Sequence, residues 1–469
     1  NIHKLTPGEI FPLEIELINR AEVQMELTNI KAEGIQLDTI WTATLTPNED
    51  IKWNTQRTVN LNIPNTAPYW LTQKGSLGTY YVEDQNMIGK PESDRNLKVF
   101  FTINILGNPF TFEKNVVYKY NSPENGETYR PLEIVPPLTV NVKEAVYVFA
   151  TNKPKEVSVQ VQAWAKDQQG SVVLPMPKGW TVTPDKFDFS FKEKGENKSF
   201  VFTVTPTSTP EEIEVTPIIH ANDKTYTDAM INIQYDHIPY QTVLMKAEAK
   251  FSRLNIQTAA HRVAYVAGAG DEIPTSLRQI GCTVEIIKPE DISEEKLSTF
   301  QTLILGVRAY NTEENLKYKQ AMIFDFVKKG GTVVVQYNVS NGLVTKELAP
   351  YPLTLSRNRV TVEEAEMRFL APDHAVVNTP NKLTSKDFEG WVQERGLYFP
   401  SEWDKAFVPI FSCNYPGETP LDGSLLVAQY GEGYYIYTGL SFVRELPAGV
   451  SGAYRVFANL ISLGHDSKP

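Results

Sequence analysis

Cysteine is almost missing from this chain: 469 residues hold two, Cys282 and Cys413. A pair of thiols excludes a disulfide framework as the source of stability, and it says nothing about compartment. Cys282 stands at an expected helix-to-strand junction and reads as a buried structural thiol. Histidine is scarce as well. The six histidines, at positions 3, 220, 237, 261, 374 and 465, stand singly, none at ligand spacing to another, so no metal is expected. Asp271-Glu272 and the cluster Glu363, Glu364, Glu366 have ligands for a hard cation, but carboxylates alternating along a strand read as a solvated face. No run of about twenty apolar residues occurs, which excludes a membrane-spanning helix. Basic residues number 45 against 56 acidic ones, a net charge of -11 without any basic stretch, and this argues against nucleic acid as a partner. The opening Asn1-Ile-His-Lys-Leu-Thr-Pro7 has neither an initiator Met nor a signal-peptide core, as in a processed or excised piece of a longer chain.

What the chain does contain is patterned apolar sequence, enough for about three domains. Residues 1–125 alternate with period two in Phe11 to Asn19, Val23 to Leu27, Val59 to Ile63 and Lys98 to Leu106, which predicts an antiparallel β-sandwich. Pro68-Tyr-Trp-Leu71 and Tyr80-Tyr-Val82 add aromatic residues suited to a packed loop or a binding platform. The proline-rich stretch 121–137 reads as an extended linker. Residues 126–237 alternate again, through Ala145 to Phe149, Val157 to Val161, Phe187 to Phe191 and Phe200 to Val204, at the spacing of an Ig-like sandwich. The stretch 238–258 has no clear period and reads as a linking crossover.

Residues 238–469 read differently. Short apolar runs at 262–267, 283–287, 302–306 and 332–337 alternate with helical spacing, and Gly268-Ala-Gly270 follows the first run. This predicts an α/β domain on a parallel sheet, flavodoxin-like, with Gly452 to Leu463 as its closing helix. Residues 360–370 read as an antiparallel strand within a long insertion.

Several motifs carry a family resemblance. Gly268-Ala-Gly-Asp-Glu-Ile-Pro274, Gly306-Val-Arg-Ala-Tyr-Asn311, Asp387 to Phe399 and Leu440 to Gly449 resemble the C-terminal region of long bacterial PIG-L family deacetylases of the Bacteroidetes kind. Pro177-Lys-Gly-Trp-Thr-Val-Thr-Pro184 with Ser199 to Pro206 resembles a NEW3-type β-sandwich. The resemblance implies an N-terminal zinc deacetylase domain as a partner in the parent chain, two β domains, a class I glutamine-amidotransferase-like (ThuA-like) domain, a glycan ligand, and a periplasmic or extracellular location. The family's metal motif, His-Pro-Asp-Asp, does not occur here, so deacetylase activity does not carry over. Nor does a cysteine follow the strand ending at Tyr337, where a glutaminase nucleophile would stand; Asn338-Val-Ser-Asn-Gly342 is there instead. Ser340 has only His374 as a partner and lacks a nucleophile-elbow frame. The expectation is a non-catalytic accessory region for carbohydrate binding or positioning, without a cofactor, releasing neither ammonia from glutamine nor acetate from N-acetylglucosamine derivatives. The alternatives are a hydrolase with an unrecognised site at the strand ends, or a structural spacer or assembly module.

In parallel sheets ligands collect at the carboxyl ends of strands. Candidate ligand-binding residues are therefore Asp271, Arg308, Tyr310 and Asn338, joined from the insertion by Trp391, Glu394 and Arg395. The competing expectation is that Arg308, Glu394 and Arg395 form an ion-pair network pinning the insertion to the sheet.

Overall fold

A computed structural model describes residues 3–76 and 78–465. Alternation in the first third produces two antiparallel sheets. Ile10–Ile18 pairs with Asp50–Thr58, while a second sheet has the order Asp38–Thr44, Met25–Glu33, Lys98–Ile105, Asn108–Asn115. Phe11, Leu13 and Ile15 from the first and Leu27, Ile30, Val99 and Phe101 from the second form their common core. An open groove of about 1550 Å³ remains between them, floored by Phe11, Leu13 and Phe101 and flanked by Tyr118 and Tyr120. Of the aromatic loop residues, Tyr69 and Trp70 pack edge to face at 4.8 Å, whereas Tyr80 and Tyr81 are exposed.

The proline-rich stretch is largely a hairpin, Val117–Ser122 against Gly126–Pro131. Pro123 falls in its turn and Pro131 at its end, positions where a missing N–H costs nothing. Lys4–Leu5 then runs parallel to Glu133–Ile134, and Leu5 and Ile134 join the core of the first sandwich. That sandwich sets Leu138–Val142, Lys155–Ala163, Asn197–Thr205 and Thr181–Thr183 against Phe187–Phe191, Gln168–Val173, Ile218–Ala221 and Lys224–Tyr226. Its core joins Val157, Val159, Phe200, Phe202, Phe189 and Trp180 to Phe251. Most of the stretch read as a crossover is strand. Ile238–Lys246 pairs with Asp228–Tyr235, and Ala249–Arg253 lies between Val146–Phe149 and Glu211–Val215.

The expected flavodoxin-like, amidotransferase-like α/β domain is corrected by the structure. The chain is 45% strand and 13% helix, a β-rich multidomain protein. The C-terminal region is built on an eight-stranded mixed sheet ordered Thr283–Ile286, Arg262–Val266, Thr302–Leu305, Thr332–Val335, Gly433–Thr438, Leu421–Tyr430, Phe407–Cys413, Arg368–Phe369. The four runs expected as parallel strands do pair in parallel, as does Gly433–Thr438, and the remaining three are antiparallel. The physical difference lies in the connections. Helices between the parallel strands are short, Ile273–Gln279, Glu294–Leu297 and Gln320–Lys328, and residues 336–432 form mostly strand and loop. The apolar runs report strands that are covered on both faces, but they do not report what covers them. Val263 and Tyr265 enter one core cluster with the helix Ser451–Ser462; Ala264 and Val266 enter another with Ile323 and Val327. Residues 360–370 are not one strand: Leu353–Val360 ends there, a turn carries Glu363 and Glu364, and Arg368–Phe369 begins anew.

Candidate functional site

Three of the seven candidate residues are structural. The Asp271 carboxylate accepts from the Tyr265 hydroxyl at 2.6 Å, from the Ile273 N–H at 3.1 Å and from the Val307 N–H at 3.3 Å. It therefore joins two strand ends to the start of a helix. Gly268 makes that approach feasible, since a Cβ there would sit 2.1 Å from the Val307 carbonyl. Tyr310 is fully buried and its hydroxyl donates to Gln320 at 3.0 Å. Asn338, also fully buried, accepts from the Tyr310 N–H at 2.9 Å and donates to the Gln336 carbonyl at 2.8 Å. Tyr310 and Asn338 are closed off from solvent, whereas Asp271 is half-buried.

Two more serve the insertion. Trp391 is buried and donates to the Asp387 carbonyl at 3.0 Å. The Arg395 guanidinium, also buried, lies 5.5 Å from the Trp391 ring centroid, donates through Nε to the Ala365 carbonyl at 2.9 Å, and donates through Nη1 to the Phe388 carbonyl. Carbonyls and aromatic faces therefore hold Arg395, and the expected ion-pair network is absent: among the described residues, none of Arg308, Glu394 and Arg395 makes a salt bridge.

The remaining two, Arg308 and Glu394, stand near Tyr337 together with residues the sequence reading missed. Arg308 is exposed at the end of its strand connection, in the left-handed region at φ 59, and its N–H donates to the Tyr337 carbonyl at 2.9 Å. The half-buried Tyr337 ring tilts against Tyr398 with centroids 5.9 Å apart. Tyr398 (φ 54) and Gln393 (φ 73) are left-handed too. A non-glycine residue in that region costs about 1 kcal/mol. Every described non-glycine residue of this kind beyond Asp223 belongs to this neighbourhood. Glycines permit the crossing that assembles it. A Cβ on Gly396 would meet the Gly439 carbonyl at 2.3 Å, and Leu397 N–H donates to that same carbonyl at 2.9 Å. The Ser441 N–H donates to the Arg395 carbonyl, and the following turn carries the exposed Arg444.

Burial pushes the Glu394 carboxyl above its ordinary range, while the Ser441 hydroxyl and Arg444 pull it partly back. Burial likewise raises the Tyr337 phenol, with Glu394 adding to the rise and Arg444 and Arg308 opposing it. Behind them Glu445 is wholly buried, accepts from the Val392 N–H at 2.8 Å, and is pushed by burial up to about 8. Glu445 Oε1 has no hydrogen-bond partner among the described residues. Tyr337, Tyr398 and Arg444 carry no spacing signal that picks them out; only a tyrosine directly after an apolar strand pointed to this rim.

Nucleophilic chemistry has little to work with here. Burial raises the Cys282 thiol to about 11 and the Cys413 thiol to about 12, which holds both as inert thiols. His374 Nδ1 accepts from the Val376 N–H at 3.1 Å and so caps a helix turn. Among the described residues no group of three or more His, Cys, Asp or Glu is placed to hold a metal ion. No helix of the described residues is long and apolar enough to cross a membrane.

No family model matches the chain, and no curated protein does. Among solved structures, a Salmonella α-2-macroglobulin reacted with methylamine aligns at 10% identity over 54% of this chain and 16% of its own, with a TM-score of 0.19. A family 123 glycoside hydrolase from Clostridium perfringens aligns at 8% identity over 43% of this chain and 48% of its own, TM-score 0.17. A Porphyromonas gingivalis protein of unknown function aligns at 12% identity over 53% of this chain and 93% of its own, TM-score 0.14. This chain thus spans a small part of the α-2-macroglobulin, and likenesses this weak carry no argument about fold or function.

Proposed function

We propose that this chain is a non-catalytic accessory region that binds or positions carbohydrate, with the outer ring faces of Tyr337 and Tyr398 as its sugar platform. The observation that carries the reading is the half-buried tyrosine pair, centroids 5.9 Å apart, near a buried carboxyl and two exposed guanidinium groups. Ring faces pack against the C–H faces of a pyranose, and a few convergent polar groups orient its hydroxyls. Glu394, whose carboxyl burial raises above its ordinary range, stands beside these rings as a polar group. The likeness of Gly306 to Asn311 and of Leu440 to Gly449 to PIG-L deacetylases supports a role beside a zinc deacetylase acting on an exported glycan. Such a region would hold the polymer while the neighbouring domain works on it.

A glycan-array screen of the intact chain against its Tyr398→Ala variant tests this. Binding to a defined set of glycans, lost in the variant while its melting temperature stays within a few degrees, is the expected result. An array without a hit for the unmodified chain would sink the reading.

A further inference from the structure

We infer that the open groove of the first sandwich takes an extended β-strand from a partner polypeptide, one in which large apolar residues alternate with polar ones and a basic residue meets Glu14. The inference is independent of the carbohydrate reading above. Its ground is an incomplete sandwich. Four strands of one sheet face only two of the other, Ile10–Ile18 and Asp50–Thr58. Trp53 packs on Trp41 of Asp38–Thr44 with ring centroids 5.4 Å apart, so the two-stranded sheet lies toward one side of the four-stranded one. At the opposite edge stands Asn108–Asn115, and all eight of its residues are exposed. Phe112 pairs with Phe101 and Phe110 with Ile103, and residues directly opposite in an antiparallel pair share a face. Phe101 and Ile103 are 7% and 9% exposed, whereas Phe110 and Phe112, on the same core-facing side, are 50% and 46% exposed.

The groove lies at this uncovered place. Phe11 to Ile18 line one wall, Val117 to Asn121 of the hairpin line the other, and Val99, Phe101, Ile103 and Phe112 make the apolar floor. The outward backbone groups of Ile10–Ile18 follow from its register. The Val59 N–H donates to the Glu9 carbonyl at 2.9 Å and the pairing is unbroken from Ile10 to Ile18, so odd-numbered residues bond to Asp50–Thr58. The N–H groups of Glu14 and Glu16, and the carbonyls of Pro12, Glu14 and Glu16, therefore point away from that partner, along the open edge. Pro12, which has no N–H to give, falls at one of these outward positions. Unmet backbone groups beside an apolar floor are what strand addition uses: main-chain bonds supply affinity and alternate side chains fill the floor. The nine residues of Ile10–Ile18 offer roughly 30 Å of edge. The space of about 1550 Å³ exceeds the roughly 300–1,000 Å³ of small-molecule sites. Four inward aromatic side chains would bury roughly 600–1,000 Å², on a par with the about 800 Å² per partner of a stable interface. Charge argues against a second copy in the slot. Two such edges side by side would set Glu14 and Glu16 against their own counterparts, and like charges directly opposite are destabilising. Glu16 is already paired with Lys52 at 3.4 Å, which leaves Glu14 as the charge an incoming lysine meets.

The test is fluorescence anisotropy of a labelled nonapeptide, acetyl-Val-Lys-Phe-Thr-Val-Lys-Phe-Thr-Val-amide, titrated with the intact chain beside a peptide of the same composition shuffled to lose its alternation. The alternating peptide should bind roughly tenfold or more tighter, because it alone joins backbone pairing to burial of one apolar face. Hydrogen exchange in fragments covering Ile10–Ile18 should slow when it binds. Phe112→Ser, at a half-exposed position, should weaken binding at an unchanged melting temperature, and Glu14→Pro, which deletes one outward N–H, should weaken it as well. Equal binding of the two peptides, protection confined to other segments, or failure of the alternating peptide to bind at millimolar concentration would each overturn the inference. A dimer in sedimentation that protects Ile10–Ile18 without any peptide would overturn it too, by making a second copy the occupant.

Discussion

Asp271 shows how a residue with the look of a ligand group is consumed by the fold. Its two oxygens already accept from Tyr265, Ile273 and Val307. Hydrogen bonds to a charged group are worth about 1.5 to 3 kcal/mol net. Asp271→Ala is therefore expected to lower the urea midpoint by an amount equal to at least about 2 kcal/mol, with no effect specific to glycan binding. Arg308 should behave in the opposite way. Without a side-chain partner and at φ 59, Arg308→Gly should leave stability unchanged or raise it by up to about 1 kcal/mol, which the same titration reads. Glu445 adds a pH dependence. Its folded pKa of about 8 lies above the ordinary carboxyl value of 4.5, so the native state holds the proton more tightly than the unfolded chain does. Its contribution is fully present below pH 4.5 and is lost as the pH rises through 8, a loss of at most about 5 kcal/mol. Glu445→Gln mimics the neutral acid and should flatten this stretch of the stability profile, so that at pH 8 the variant unfolds at higher urea than the unmodified protein.

At the scale of elements, the strand Gly396–Trp403 passes close to Thr438–Ser441, and this crossing sets where Glu394, Tyr398 and Arg444 stand. Gly439→Ala would drive a Cβ to 2.4 Å from the Phe399 ring. The expected cost is about 1 to 3 kcal/mol, as for other overpacked sites, together with weakened ligand binding because the rim residues shift. Thermal melts paired with titration would show both. Such a crossing is invisible in a linear pattern. The runs Arg262–Val266, Thr302–Leu305 and Thr332–Val335 were legible because each is apolar after its first residue and bounded by turn residues. Residues 336–432 were not, since their strands owe their pairing to distant partners: Asn358 lies opposite Phe399 and Arg368 opposite Ser412. The same holds for Ile238–Lys246, whose burial follows no period of two. Of the residues near Tyr337, the strand-end argument had selected Arg308, and the motif in the insertion had selected Glu394. It also selected Asp271, Tyr310 and Asn338, because a sequence cannot tell a polar residue facing solvent from one satisfied by buried backbone.

For the molecule as a whole, Lys4 ties the first two β regions together. It is buried, lies 3.3 Å from Glu133, and donates to the Tyr240 hydroxyl at 2.8 Å and to Asn232 at 3.0 Å. Removing one member of a buried pair leaves an uncompensated charge. Lys4→Ala is expected to cost about 3 to 5 kcal/mol and to split calorimetric unfolding into separate transitions. The C-terminal sheet has a different kind of tie. Gly433–Thr438 occupies the slot between Thr332–Val335 and Leu421–Tyr430, and the helix Ser451–Ser462 closes one face. A strand made late in synthesis therefore fills the middle of the sheet. While the ribosome is still adding residues before Gly433, Thr332–Val335 and Leu421–Tyr430 each have an open side, and the nascent chain must wait, exposed to chaperones and to its neighbours, for its centre to arrive.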